Sequence, residues 1–135
     1  TVDRLERWHR PGFLAIGDAA HAMSPIGGVG INLAIQDAVA AANALAGPLR
    51  DGSLTEATLE AVQQRRMFPT RVTQAIQIAI QKQVIGAVLA STRPLRAPWL
   101  LRALTAVPLF RRLPAYVVGV GVRPEHIGPA LRPRA

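Results

Sequence analysis

Apolar and polar positions divide the chain into regions of different texture. Phe13 to Ile16 is an uncharged apolar run behind the turn pair Pro11-Gly12, which predicts a short buried strand. Upstream, Leu5 and Trp8 precede the turn His9-Arg10-Pro11-Gly12, so Asp3 to Trp8 is expected to close another strand, with Trp8 in a core. A loop containing Pro25, Gly27, Gly28 and Gly30 follows. Ile31 to Ala46 is an alanine-rich run of helix formers, expected to end at Gly47-Pro48.

After the turn at Asp51-Gly52, Ser53-Leu54-Thr55-Glu56 fits a capping box. It predicts a helix over 54–67, with Leu54, Ala57, Ala61 and Val62 near helical spacing and Arg65-Arg66 at its end. Pro69 is expected to interrupt it, and a second long helix to cover 70–91. Ile76, Ile78 and Ile80 alternate at strand period, but the long run without a turn signal favours helix. Glutamines and Lys82 break its apolarity, so it does not read as a membrane span. From Arg93 on, prolines recur among leucines and arginines, predicting short helices over 98–106 and 109–113. Tyr116 to Val122 reads as a short strand or an irregular tail packed on the core, and 123–135 as frayed.

The fold class is therefore mostly α with a short β element. Three regions follow: 1–50 with strand, loop and helix; 51–92 with a long helical pair; 93–135 with Pro/Arg-rich short helices and tail. There is no internal repeat.

Composition narrows the class. Half of the 135 residues are hydrophobic, which fits a globular chain, and the absence of cysteine excludes a disulfide scaffold or thiolate metal site. The charged start shows no cleavable signal, and a cytoplasmic location is expected. Residues 1–60 carry four Arg and seven acids, a balance of −3, whereas 61–135 carry eleven Arg, Lys82 and Glu125, a balance of +11. Such a half invites a nucleic-acid or membrane reading. The arginines are spread rather than clustered, and aromatics are sparse, so they are expected to cover helix surfaces and meet acidic surface elsewhere.

The order strand, carboxylate, glycine loop, helix has a chemical use. The first turn of a helix offers N–H groups without internal partners, and its dipole favours negative charge. Glycines let a flat or anionic ligand approach the backbone. Asp18, at the strand end, can accept hydrogen bonds from hydroxyls. The expected ligand carries hydroxyls together with an anion or an electron-rich heterocycle.

Gly17-Asp18-Ala19-Ala20-His21, followed by Pro25, Gly27, Gly28, Gly30, Asn32 and Asp37, resembles the second FAD-binding motif of the flavin-dependent aromatic hydroxylases of the para-hydroxybenzoate hydroxylase type. The resemblance implies the C-terminal fragment of an α/β FAD-binding, Rossmann-like, two-domain monooxygenase. It implies FAD as cofactor, NAD(P)H as co-substrate and a small organic substrate, aromatic in the hydroxylases. Asp18 would bind the ribityl hydroxyls. Pro25 would lie beside the flavin ring, and Gly27, Gly28 and Gly30 would allow close approach. The amides of Ile31 and Asn32 would face the pyrimidine side, where the reduced flavin is negative. Asn32 can equally act as a helix cap. Halogenases and reductases of the same superfamily share the motif.

Family members also carry a Gly-x-Gly-x-x-Gly fingerprint near their N-terminus; none follows a strand here, and Gly119 with Gly121 is too short a match. The chain is thus expected to need the missing N-terminal part as partner and to be inactive alone. No catalytic side chain is assigned. His21 is expected to pack behind the loop, and Asp37 to be structural. The glycine loop separates Asp37 from Asp18 and His21, so no metal site is expected.

Overall fold

The computed structural model of the chain describes residues 2–24, 28–90, 116 and 119–132, the side chains of 80 and 83–90 excepted. The short helices expected over 98–106 and 109–113 lie outside the described residues.

Strand β1 (His9–Arg10) pairs antiparallel with β2 (Phe13–Leu14), in the register His9↔Leu14 and Arg10↔Phe13. Pro11-Gly12 closes the hairpin, and Gly12 has φ +75, the conformation a type II turn requires of its third residue. The strand expected over 13–16 is thus shorter than its apolar run. Phe13 is 58 % exposed, and burial begins only at Leu14 and Ala15. Within the described residues β2 has one strand neighbour, so pairing covers one short hairpin. No strand forms over 3–8 either. That segment lies extended along the loop after Ala20, with the Asp3 amide on the Ala22 carbonyl (3.2 Å) and the Leu5 amide on Ala20 (2.8 Å). Trp8 is buried as expected, in a small core with Ala15 and Ala20 flanked by Leu14 and Met67.

Two helices carry most of the structure. Helix α1 spans Val29–Arg50 and passes through Gly47-Pro48 instead of stopping there. Pro48 lies in the last turn, where little remains to disrupt, and the Asp51 amide closes the end on the Gly47 carbonyl at 3.0 Å. Helix α2 spans Glu56–Ala90, with Pro69 inside it. The expected break is absent because the buried face continues across the proline. Leu59, Val62, Arg66, Thr70, Gln74 and Gln77 are all buried and follow one another three or four residues apart. Tertiary contact on both sides of Pro69 outweighs the one backbone bond it removes. The capping box does not form either. Thr55 Oγ1 accepts from the Thr58 amide (3.4 Å), and Glu56 reaches away to Arg7 (2.9 Å).

The glutamines of α2 have a structural use. Gln63 donates to the Glu6 carbonyl and accepts from the Trp8 amide, both at 2.8 Å. Gln74 donates to the Asp3 carbonyl at 2.8 Å, and Gln77 to Ser24 at 3.0 Å. Side chains of one helix thereby satisfy backbone groups that no sheet partner meets among the described residues.

A buried ion cluster joins the helices. Asp37 of α1 and Arg66 of α2 are both 0 % exposed, with Arg66 Nε 2.7 Å from Asp37 Oδ1. Glu125 takes Arg65 through two bonds of 2.7 and 2.9 Å and lies 3.6 Å from Arg66. Two acids and two guanidiniums thus balance. Residues 119–132 are not frayed but held on α1. Asn43 donates to the His126 carbonyl and accepts from the Gly128 amide, both at 2.8 Å, and Gln36 donates to Val120 at 2.7 Å. Helix α1 is long and apolar enough to cross a membrane by length and composition alone, and its Asp37 sits in this cluster.

Burial pushes the Asp37 carboxyl upward, but bonds and charge from His21 and Arg66 outweigh it and hold it below its usual range. A carboxyl lowered in the folded state stabilises fully above its unfolded pKa, and this stability is lost as pH falls through the folded value. Asp37→Asn is therefore expected to flatten the loss of stability below about pH 4, where an ordinary Asp titrates, as read from urea midpoints across pH 2–7. Arg66→Met, which strands the Asp37 charge, is expected to cost about 3–5 kcal/mol at neutral pH by urea unfolding.

Candidate functional site

Gly17 opens a 3-10 turn, Gly17–Ala19, directly after the hairpin. Its φ is +59, and a Cβ there would stand 3.0 Å from the Ala34 Cβ of α1, so only glycine lets the turn press on the helix. The Gly17 carbonyl accepts from both the Ala20 and His21 amides at 2.9 Å. This closed turn sends its two functional side chains in opposite directions. Asp18 is exposed, beside a shallow hollow of about 190 Å³ formed with Asp3, Arg4, Leu5, Ala19 and Ala22. His21 points back and is buried. Its Nε2 is 2.5 Å from Asp37 Oδ2, and its ring centroid is 5.2 Å from that of Trp8.

At the other side of the loop, Gly28 caps α1 in the left-handed conformation, φ +65. As a glycine, Gly28 brings no capping side chain to this helix start, and the first turn holds no acid. The first turn of a helix offers amides without intrahelical partners. Ile31 is 69 % exposed, while Asn32 is half-buried and engaged. The glycines differ in use. Gly28 supplies a backbone conformation, with nothing near its absent Cβ. Gly30 does allow close approach, but of Met23, whose Cβ would lie 3.2 Å from an added one. Pro25 and Gly27 lie outside the described residues. The hollow at Asp18 does not reach the start of α1 within the described residues, and a larger concavity, about 410 Å³ at His9, Arg10 and Phe13, borders it at Leu5.

The fold brings together a pair that the loop separates in sequence, His21 with Asp37. It leaves Asp18 apart from them. Arg66 fills the remaining side of Asp37, and among the described residues no group of His, Cys, Asp and Glu can hold a metal ion. Arg66, Glu125 and Gln36 escape a reading for apolar periodicity. Arg66 nevertheless falls four residues after Val62 on the same helix face, which is the signal that places a charge in the core.

The arrangement offers an outward carboxylate for hydroxyls and a glycine-opened helix start whose dipole favours an electron-rich or anionic group. The chain is 44 % identical over 112 residues to a protein named 6-methylpretetramide 4-monooxygenase from Streptomyces rimosus, covering 82 % of this chain and 24 % of that protein. It is 57 % identical over 42 residues to kynurenine 3-monooxygenase from Xanthomonas oryzae pv. oryzae (strain PXO99A), and 55 % over 42 residues to that of Stenotrophomonas maltophilia (strain K279a). Each of these shorter matches covers 30 % of this chain and 9 % of the relative. The chain thus spans about a quarter of the first relative's length. The family model described as "FAD binding domain" matches residues 2–76, more than half of the chain, which therefore belongs to that FAD-binding family.

Proposed function

We propose that the chain is the C-terminal, FAD-holding portion of a flavin-dependent monooxygenase with a two-domain, Rossmann-like fold. Such an enzyme uses NADH or NADPH and O₂ to hydroxylate a small organic substrate, and a cytoplasmic location accompanies that reading. The observation that carries it is the exposed Asp18 on a glycine-locked turn, followed by a glycine-opened helix start with no acid in its first turn. The names of the similar proteins, all monooxygenases, favour this over a halogenase or reductase.

The residues fit the cofactor chemically. Asp18 accepts hydrogen bonds from the ribityl hydroxyls. The amides of Ile31 and Asn32 lie in the first turn of α1 and orient the pyrimidine side of the ring, where their dipoles favour negative charge. Pro25 and Gly27, outside the described residues, keep the roles the resemblance implies, beside the flavin ring and at the close approach; Gly28 turns the backbone into α1, and Gly30 seats the helix start on Met23. FAD, when bound, supplies hydride acceptance and oxygen activation. The chain's own residues bind and orient, and no side chain here acts as acid or base. Regions 1–50, 51–92 and 93–135 serve as flavin motif, helical support and tail. The basic half is better read as support than as a nucleic-acid surface, since Arg65 and Arg66 are turned to Glu125 and Asp37.

The protein from the full reading frame that contains this chain is expected to purify with bound FAD. Asp18→Ala in it is expected to weaken FAD binding about 10- to 100-fold, the worth of hydrogen bonds to a charged group, as read by flavin fluorescence titration of the apoprotein. A full-length protein that lacks flavin and cannot be reconstituted overturns the reading. The 135-residue chain alone is expected to bind FAD weakly or not at all by calorimetry; tight stoichiometric binding contradicts the division of the cofactor grip between this chain and the rest.

A further inference from the structure

We propose that Asp37 is a positioning residue for FAD, acting through the turn that carries Asp18. This rests on the reading of Asp18 as a ribityl ligand. One oxygen, Oδ2, holds both ends of that turn. It accepts from the Gly17 amide at 3.1 Å, one residue before Asp18, and from His21 Nε2 at 2.5 Å, three residues after it. The other oxygen takes Arg66 Nε at 2.7 Å. Arg66 is fixed in turn, bonding to the Arg123 carbonyl at 3.2 Å and to Gln36 Oε1 at 3.3 Å. The carboxylate therefore has no freedom to rotate, and neither has the turn hung on it. The Asp18 side chain is exposed, and the turn that carries it takes its direction from these anchors behind it.

A carboxylate is needed for this. An asparagine in its place would present one acceptor oxygen and one NH₂ group. With the oxygen toward Gly17 and His21, its NH₂ faces the guanidinium; with the oxygen toward Arg66, its NH₂ faces two donors. Either choice releases the turn or the helix pair.

The test is a double-mutant cycle on FAD dissociation constants in the full-reading-frame protein, using Asp18→Ala, Asp37→Asn and both together, with folding checked by circular dichroism. Positioning through Asp18 is expected to make D37N alone weaken FAD about tenfold and to add less than about twofold in the D18A background, a coupling typical of residues in one network. An unchanged dissociation constant in D37N, or equal losses in both backgrounds, overturns the proposal and leaves Asp37 as a stabilising residue only. If D18A alone leaves FAD binding unchanged, the ribityl reading fails instead, and this proposal with it. Should D37N not fold, His21→Gln enters the same cycle, because it keeps the Asp37–Arg66 pair and alters one anchor of the turn. A loss of about threefold that disappears in the D18A background is expected, and a loss that persists there overturns the proposal.

Discussion

A single buried carboxylate governs how the parts of this chain meet. Asp37 has no solvent to hydrate its charge, so the fold must supply partners, and they come from three places: the turn after the hairpin, the imidazole of His21 and the guanidinium of Arg66 on α2. Removing a charge from water is expensive, and only well-aimed donors offset it. Here that requirement fixes the loop, both helices and, through Glu125, the C-terminal segment in one arrangement. The buried apolar residues among those described are few: Trp8, Ala15 and Ala20 beside the hairpin, and Val29, Leu33, Ala40, Ala41, Leu59 and Val62 on the two helices.

The same economy of apolar contact explains α2. Its buried face is polar through Arg66, Thr70, Gln74 and Gln77; Gln74, with Gln63 beside that face, meets backbone groups of the extended N-terminal segment, and Gln77 meets the Ser24 carbonyl. A row of amide side chains substitutes for a neighbouring strand. This gives the hairpin and the turn a rigid backing, with Asp18 facing outward.

Much of this was legible in the sequence. The strand–turn–helix frame, the burial of Trp8 and the helical state of 70–90 follow from apolar runs, glycine placement and length, while the packing of His21 was implied by the family resemblance and the structural use of Asp37 by its place in the helix. The misreadings share a cause. Gly47-Pro48, Pro69 and the Ser53 capping box are local signals, and at the first two, tertiary packing or a place in the last turn overrode them. At the third, Thr55 competed for the cap. The proline-bearing tail looked frayed because its anchors, Asn43, Gln36 and Arg66, lie 57 to 85 residues away and are polar. Periodicity of apolar residues carries no information on such bonds. The exposure of Asp18 was readable for the opposite reason: it depends on a turn of only a few residues whose glycine is written in the sequence.

What distinguishes a flavin grip from an ordinary braced turn is where the Asp18 carboxylate goes when FAD is present. A crystal structure of the full-reading-frame protein with FAD measures this most directly. A ribityl hydroxyl at about 2.5–3.0 Å from a carboxylate oxygen of Asp18 is the expected result. Bound FAD whose ribityl chain passes elsewhere, with Asp18 facing only water, contradicts it.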